Sequence, residues 1–125
     1  LGAGKTCLTQ GIGRGLGVQS AITSPTFIIV NEYPLPDRSH KLYHIDLYRV
    51  QNAAEACATG LEDTFFGDGI CVIEWAERAR EILPDDRLWV TLRYVDETKR
   101  ELHFEARGAR FEALLQRFRQ EAFGI

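Results

Sequence analysis

A run of four apolar residues, Ile70-Cys71-Val72-Ile73, ends on the acid Glu74 and constrains the fold more than any other stretch of the chain. A continuous run of this kind, without alternating polar residues, is typical of a strand that is buried on both faces, as in a parallel sheet. In open α/β sheets, ligands bind beyond the carboxyl ends of the strands. The run therefore predicts a layered α/β fold in which Glu74 projects towards a ligand site.

The second constraining feature is the glycine-rich start of the sequence, Leu1-Gly-Ala-Gly-Lys-Thr6. Gly4-Lys5-Thr6 matches the closing triplet of the motif G-x-x-x-x-G-K-[ST], in which backbone N–H groups approach a phosphate at a helix N-terminus. In that motif Lys5 would lie against the outer phosphates and the Thr6 hydroxyl would hold Mg²⁺. A helix is predicted from Lys5 onward, with apolar residues spaced by four on one face and a glycine stop: Leu8, Ile12, Leu16 and Gly17.

Only the closing half of this motif lies within the sequence, because its first glycine would stand two residues before Leu1. The strand that normally feeds such a loop would precede Leu1 as well. We therefore expect a single P-loop ATPase domain over residues 1–125, with its N-terminal strands and the first half of the loop lying upstream. The alternative interpretation is a chance glycine-rich terminus that binds nothing.

Apolar periodicity and turn residues predict short elements along the rest of the chain. The predicted strands are 27–33, 41–49, 88–95 and 101–107, and the first two and last two pair as antiparallel hairpins. The predicted helices are 52–59, 61–66, 76–83 and 110–122, with Asn52 as an N-cap and an apolar stripe on the last helix. Together these elements predict an α/β, P-loop NTPase-like three-layer fold with a mixed, partly parallel sheet and antiparallel hairpins.

The composition narrows the classes of function. The 125 residues, 45% of them hydrophobic, are enough for one domain with a sizeable core. The formal charge of -3 at pH 7 gives no electrostatic reason to expect tight, direct binding to nucleic acid. No apolar stretch approaches the length of a membrane span and no signal peptide opens the sequence. We therefore expect a cytoplasmic protein that is not associated with a membrane.

The cysteines, histidines and late arginines do not predict a site of their own. The three cysteines include no C-x-x-C pair and are interpreted as buried thiols in a reducing compartment: Cys7, Cys57 and Cys71. The histidines are too scattered to predict a zinc site. The arginines near the end of the chain alternate with glutamates, which indicates a solvated helix face: Arg107, Arg110, Arg117 and Arg119 with Glu105, Glu112 and Glu121.

Three residues are candidates for the chemistry of nucleotide hydrolysis, which needs a metal and a group that orients water. Glu74 stands where a Walker B acid would stand; the alternative is an acid that caps the helix near Ala76. Asp46 lies in a predicted strand, where Asp is depleted, and such a mismatch favours a functional role. The alternative is an exposed Asp that pairs with a cross-strand base. Thr26 could be a switch hydroxyl that senses the terminal phosphate, or part of a plain turn.

The sequence leaves more than one interpretation for two nearby residues, His44 and Trp75. His44 is interpreted as a structural, partly buried strand residue rather than a general base. Trp75 follows Glu74, the candidate metal ligand, and is interpreted as a core residue. The alternatives are a side chain that covers the nucleotide or one that contacts a partner protein.

Five segments in this order closely resemble the TsaE (YjeE) family: Leu1-Gly-Ala-Gly-Lys-Thr6, Ser24-Pro-Thr-Phe27 with Asn31-Glu-Tyr33, Tyr43-His-Ile-Asp-Leu-Tyr-Arg49, Gly60-Leu-Glu-Asp63 and Val72-Ile-Glu-Trp75. The resemblance spans Leu1 to about Pro84, and the C-terminal hairpin and helix match in outline. It implies a bacterial P-loop ATPase that acts with the TsaB and TsaD proteins in the threonylcarbamoyl modification of adenosine 37, in tRNAs that read codons beginning with A.

The resemblance also implies ATP and Mg²⁺ as cofactors and an accessory role, in which hydrolysis resets the TsaB–TsaD complex and tRNA is contacted only indirectly. The implied phosphate-binding residues are Gly2, Ala3, Gly4, Lys5, Thr6 and Cys7. The implied ligands of Mg²⁺ are Thr6 and Glu74. The implied catalytic or switch residues are Asp46, Glu74 and Thr26.

Two other functions fit the same residues. A small-molecule kinase would use the phosphate loop to transfer phosphate to an acceptor instead of to water. A nucleotide-gated interaction module would bind without turnover.

Overall fold

The computed structural model describes residues 4–20, 22, 30–37, 40–58 and 60–124. Backbone contacts group the chain into two units, which divide between Leu83 and Pro84. The first unit, Gly4–Leu83, holds both Gly4-Lys5-Thr6 and Glu74, the acid that ends the apolar run. The predicted single domain over residues 1–125 stays a prediction.

A three-stranded mixed sheet forms the centre of the first unit. Its strands are β1 (Val30–Pro34), β2 (Lys41–Asp46) and β3 (Ile70–Glu74), in the order β1-β2-β3. β1 and β2 are antiparallel, whereas β2 and β3 are parallel, with Asp46 beside Glu74. The predicted α/β class with a mixed sheet is confirmed. The first half of the strand predicted at 27–33 lies outside the described residues, and the strand predicted at 41–49 ends at Asp46.

The most buried strand is β2 and not β3. Leu42, His44 and Ile45 of β2 have no exposed surface, whereas all four apolar residues of β3 are only half-buried. The prediction that the apolar run is buried on both faces is therefore wrong for β3. The physical reason is position, because β2 has a strand on each side while β3, within the described residues, pairs with β2 alone.

The first helix, α1 (Lys5–Gly15), begins where the sequence predicts. It ends at Gly15, with Leu16 as the C-cap, and Gly17 after it adopts a positive φ of 86°. Its buried face is formed by Thr9 and Gly13, whereas Ile12 is 38% exposed. The predicted apolar face is therefore only partly buried, because Leu8 and Leu16 are half-buried and Leu16 packs against the core, while the fully buried positions belong to the small residues Thr9 and Gly13.

Gly13 is the point of closest approach between α1 and the core. A Cβ atom on Gly13 would overlap the Cδ1 atom of Ile22 and would lie 3.6 Å from Cδ2 of Leu42. Ile22 packs with Tyr33, Leu35 and Leu42 in the core of this unit. The glycine therefore sets how closely the helix carrying Lys5 and Thr6 approaches the sheet.

Three shorter helices complete the first unit: α2 (Ala53–Ala58), α3 (Leu61–Phe65) and a 3-10 helix (Ala76–Ile82). The predicted N-cap of α2 is confirmed, because Oδ1 of Asn52 accepts a hydrogen bond of 2.9 Å from the N–H of Glu55. The helix predicted at 76–83 is not a regular α-helix. It has 3-10 geometry and is interrupted at Ala79, whose φ is -136°.

The second unit is an antiparallel hairpin followed by a helix: β4 (Arg87–Asp96), β5 (Lys99–Arg107) and α4 (Ala109–Phe123). The predicted hairpin is confirmed. The rings of Phe104 and Phe118 lie 5.6 Å apart, yet no residue of α4 is buried. Arg117 and Glu121 form an exposed pair at 3.0 Å, as expected for a solvated helix face. Across the residues described here, every helix is too short or too polar to span a membrane.

Candidate functional site

The N-terminus of α1 has the backbone features of an anion-binding site. Gly4 adopts a left-handed conformation, with φ 96° and ψ 20°, and no side chain caps the helix among the described residues. The first helical hydrogen bond that these residues form runs from the N–H of Leu8 to the carbonyl of Gly4 at 2.9 Å. The preceding N–H groups therefore point out of the helix end, where the helix dipole favours negative charge. No acidic residue lies in the first turn to compete for them.

Three of the predicted site residues lie outside the described residues: Gly2, Ala3 and Thr26. Their expected roles stay predictions.

Thr6 and Glu74 meet although 68 positions separate them in the sequence. The Thr6 hydroxyl donates a hydrogen bond of 3.5 Å to Oε2 of Glu74. The parallel pairing of β2 and β3 brings the end of β3 to this position. The expected proximity of the glycine-rich turn and the strand-ending acid is confirmed, while their part in metal binding stays a prediction.

Glu74 is buried and is held by a second residue that the sequence did not assign to the site. It is 8% exposed, and its Oε2 atom lies 2.5 Å from Nε2 of His44, which is completely buried. His44 is therefore fully buried instead of partly buried, and it contacts the candidate acid. The available signal was its period-two spacing from Asp46, which puts both residues on the same face of β2.

Asp46 ends β2 beside Glu74, so two acids stand at the carboxyl ends of neighbouring parallel strands. Oδ1 of Asp46 accepts a hydrogen bond of 2.9 Å from the N–H of Tyr48, which stabilises the turn after the strand. The neighbour of Asp46 on β3 is the acid Glu74, so the base of the alternative interpretation does not come from that strand. Asp46 thus has a local structural role and also borders the candidate site.

Lys5 lies against Trp75, with its Nζ atom 4.0 Å from the ring centroid. Trp75 has a φ of 59° and is the one non-glycine residue with positive φ among those described. Such backbone strain often occurs at functional sites. The indole is half-buried and also contacts the ring of Tyr48 at 5.1 Å. Trp75 is therefore not a simple core residue, since it connects the lysine of the loop with the strand that ends in Glu74.

The cysteines differ from the expectation of three buried thiols. Cys7, in the first turn of α1, is exposed, because the helix directs Thr9 and Gly13 inward instead. Cys71 is half-buried, and burial raises the pKa of its thiol to about 11. The side chain of Cys57 lies outside the described part of the structure.

The Thr6 hydroxyl and the Glu74 carboxylate could together form part of the ligand shell of a divalent cation. No group of three or more His, Cys, Asp or Glu side chains that could hold a metal occurs among the described residues. Mg²⁺ is commonly bound through one or two protein oxygens, with phosphates and water completing its shell. A hydroxyl and a carboxylate 3.5 Å apart, next to an uncapped helix N-terminus, provide such a partial set.

Comparisons with known proteins identify the family of the chain. The family described as "Threonylcarbamoyl adenosine biosynthesis protein TsaE" matches residues 1–102. The chain is 41% identical to the tRNA threonylcarbamoyladenosine biosynthesis protein TsaE of Bacillus subtilis over 116 residues, which are 93% of this chain and 71% of that protein. It is 41% identical to the protein of the same name from Haemophilus influenzae, covering 79% of this chain and 61% of that protein.

A solved structure is similar to this chain over most of its length. The crystal structure of Bacillus subtilis YdiB superposes with a TM-score of 0.74 and 37% identity, covering 97% of this chain and 72% of that one. The family match extends over most of the chain, and it includes both the glycine-rich turn and the strand that ends in Glu74. On these grounds the chain belongs to the TsaE family.

Proposed function

We propose that this protein binds ATP and hydrolyses it with Mg²⁺, as an accessory to the threonylcarbamoyl modification of adenosine 37 in tRNAs that read codons beginning with A. Its membership of a family named for threonylcarbamoyl adenosine biosynthesis supports the pathway. The observation that carries ATP hydrolysis is the contact of 3.5 Å between the Thr6 hydroxyl and the Glu74 carboxylate beside the helix N-terminus.

Each element of the site has a part in this proposal. The backbone N–H groups of Gly4 to Cys7 bind phosphate oxygens, and the ammonium of Lys5 neutralises their charge. Thr6 and Glu74 would hold Mg²⁺, which when bound stabilises the charge that develops on the phosphates. Asp46, at the neighbouring strand end, would orient the attacking water, and Thr26 would sense the terminal phosphate.

The role in the pathway is proposed to be an accessory one. The protein would act in the cytoplasm with TsaB and TsaD proteins, and hydrolysis would reset their complex between turnovers. The formal charge of -3 supports an indirect relation to tRNA, because a direct binder needs basic surface to neutralise phosphates.

Hydrolysis by the full-length protein, followed with ATP labelled in its terminal phosphate, tests the proposal. We expect label in inorganic phosphate only when Mg²⁺ is present, and loss of turnover in Lys5→Ala, Thr6→Ala and Glu74→Ala. Lys41→Ala is a matched control, because Lys41 is an exposed lysine paired with Glu32 at 3.2 Å. Normal turnover in Glu74→Ala would remove this acid from the site.

The same assay separates the other functions. Label on an added nucleoside or small acid would establish a kinase, and binding of Mg-ATP without release of label would establish a nucleotide-gated module. For Asp46→Ala we expect lost turnover with ATP binding retained. An equal loss of turnover and of ATP binding would show that Asp46 acts by stabilising the turn through its hydrogen bond with Tyr48.

A further inference from the structure

We propose that His44 is a positioning residue, which fixes the rotation of the Glu74 carboxylate so that one chosen oxygen faces the metal. This inference rests on the proposed function, since it concerns how the acid is presented to Mg²⁺. It adds a residue that acts through Glu74 and never touches the nucleotide.

The contact between His44 and Glu74 is short and buried. Nε2 of His44 lies 2.5 Å from Oε2 of Glu74, with the histidine completely buried and the glutamate 8% exposed. Hydrogen bonds to charged groups are stronger when water is excluded. His44 itself lies on β2, which is paired on both sides, so its ring is held by a rigid part of the sheet.

Both hydrogen bonds to the carboxylate of Glu74 end on the same oxygen. Oε2 accepts from the Thr6 hydroxyl at 3.5 Å and from His44 at 2.5 Å, whereas Oε1 accepts none from the described residues. A carboxylate without such restraints can rotate about its terminal bond. Two donors on Oε2 stop this rotation and leave Oε1 as the oxygen available for a metal.

The chemistry of the pair fixes the direction of the hydrogen bond. A glutamate that serves a cation is ionised and only accepts hydrogen bonds, so Nε2 of His44 must carry the proton and donate. The other ring nitrogen, Nδ1, is buried and has no partner among the described residues. Burial of an unpartnered polar atom is unfavourable, and an apolar side chain would avoid it. Packing alone therefore does not account for a histidine at this position.

Burial also separates this role from acid–base catalysis. His44 has no exposed surface, so neither water nor a substrate reaches its ring. Its influence on any reaction has to pass through Glu74.

Three substitutions at position 44 test the inference. In His44→Phe the ring remains but no donor reaches Glu74. In His44→Gln the side-chain amide takes the place of Nε2 and keeps the donor. In His44→Asn the amide takes the place of Nδ1 and falls short. His103→Phe is the control, because that histidine is exposed on β5 and 3.2 Å from Glu105.

The measurement is the Mg²⁺ concentration that half-saturates binding of a non-hydrolysable ATP analogue, determined by calorimetry with the full-length protein. Loss of a residue that orients a metal ligand typically weakens metal affinity about 10–100-fold. We expect that shift in His44→Phe and His44→Asn, a midpoint near the wild type in His44→Gln, and no change in His103→Phe. In a Glu74→Gln background, His44→Phe should add no further shift.

The outcomes are distinct. If His44→Phe folds and keeps the wild-type Mg²⁺ midpoint, or lowers only the melting temperature, the positioning role is wrong. If His44→Phe does not fold, equal midpoints for the Gln and Asn variants overturn it instead. If the wild type itself binds no analogue with Mg²⁺, the proposed function fails, and the inference fails with it.

Discussion

The close approach of α1 to the sheet at Gly13 allows a quantitative test with an internal control. Gly11 and Gly13 lie in the same helix, and neither has positive φ. Replacing a glycine in a helix interior with alanine stabilises the helix by about 1 kcal/mol. At Gly11 a new Cβ would have nothing within 4 Å, so Gly11→Ala should raise the free energy of unfolding by about that amount.

At Gly13 the same methyl group would overlap Cδ1 of Ile22. Ile22 is 5% exposed and is enclosed by Tyr33, Leu35 and Leu42, so its side chain has little space into which to rotate. Overpacking of this kind costs about 1–3 kcal/mol. After the gain in helix propensity of about 1 kcal/mol, Gly13→Ala should be about 0–2 kcal/mol less stable than the wild type.

The assay is urea denaturation of the single variants Gly11→Ala, Gly13→Ala and Ile22→Val and of the double variant Gly13→Ala with Ile22→Val. Ile22→Val removes the overlapping Cδ1 atom and by itself costs about 0.5–1.5 kcal/mol. In the Gly13→Ala background it should cost less or should stabilise, which gives a favourable coupling of about 1–3 kcal/mol. Coupling below about 0.5 kcal/mol, or equal stability of the two alanine variants, would refute the reasoning.

Two further predictions concern Trp75 and the cysteines. In the variant Trp89→Phe, Trp75 is the sole tryptophan. Binding of Mg-ATP should change the fluorescence emission of Trp75, because the nucleotide draws Lys5 away from its ring. An unchanged emission at saturating nucleotide would show that Lys5 stays at the ring. Burial raises the pKa of the Cys71 thiol from 9.0 to about 11. Between these two values the folded state keeps a proton that the unfolded thiol loses. The free energy of unfolding should therefore fall as the pH rises through this range. Mass spectrometry after thiol labelling at pH 8 should find exposed Cys7 modified well before Cys71, and equal rates would contradict the burial of Cys71.

The short elements of the fold were predictable because their causes are local. The N-cap at Asn52, the hairpin of β4 and β5 and the start of α1 at Lys5 each depend on residues a few positions apart. The helix predicted at 76–83 was less regular than expected. It begins directly after Trp75, whose backbone has positive φ, and no local pattern indicates that conformation.

The candidate site was predictable in part. The phosphate-binding motif indicated Lys5 and Thr6, and the position of Glu74 after an apolar run indicated that the acid would face the same site. The contribution of His44 was not predictable, because a histidine in a strand acquires a direction and a partner only when β2 and β3 pair in register.

By itself, the sequence determined which residue types stand at the glycine-rich turn and at the end of β3, since a phosphate loop and a strand-ending acid are properties of short segments. The tertiary structure alone decided that Thr9 and Gly13 form the buried face of α1, because only the distance from helix to core shows that small side chains are needed there. It also decided that a single carboxylate oxygen of Glu74 receives both side-chain hydrogen bonds, since this depends on three segments meeting in space.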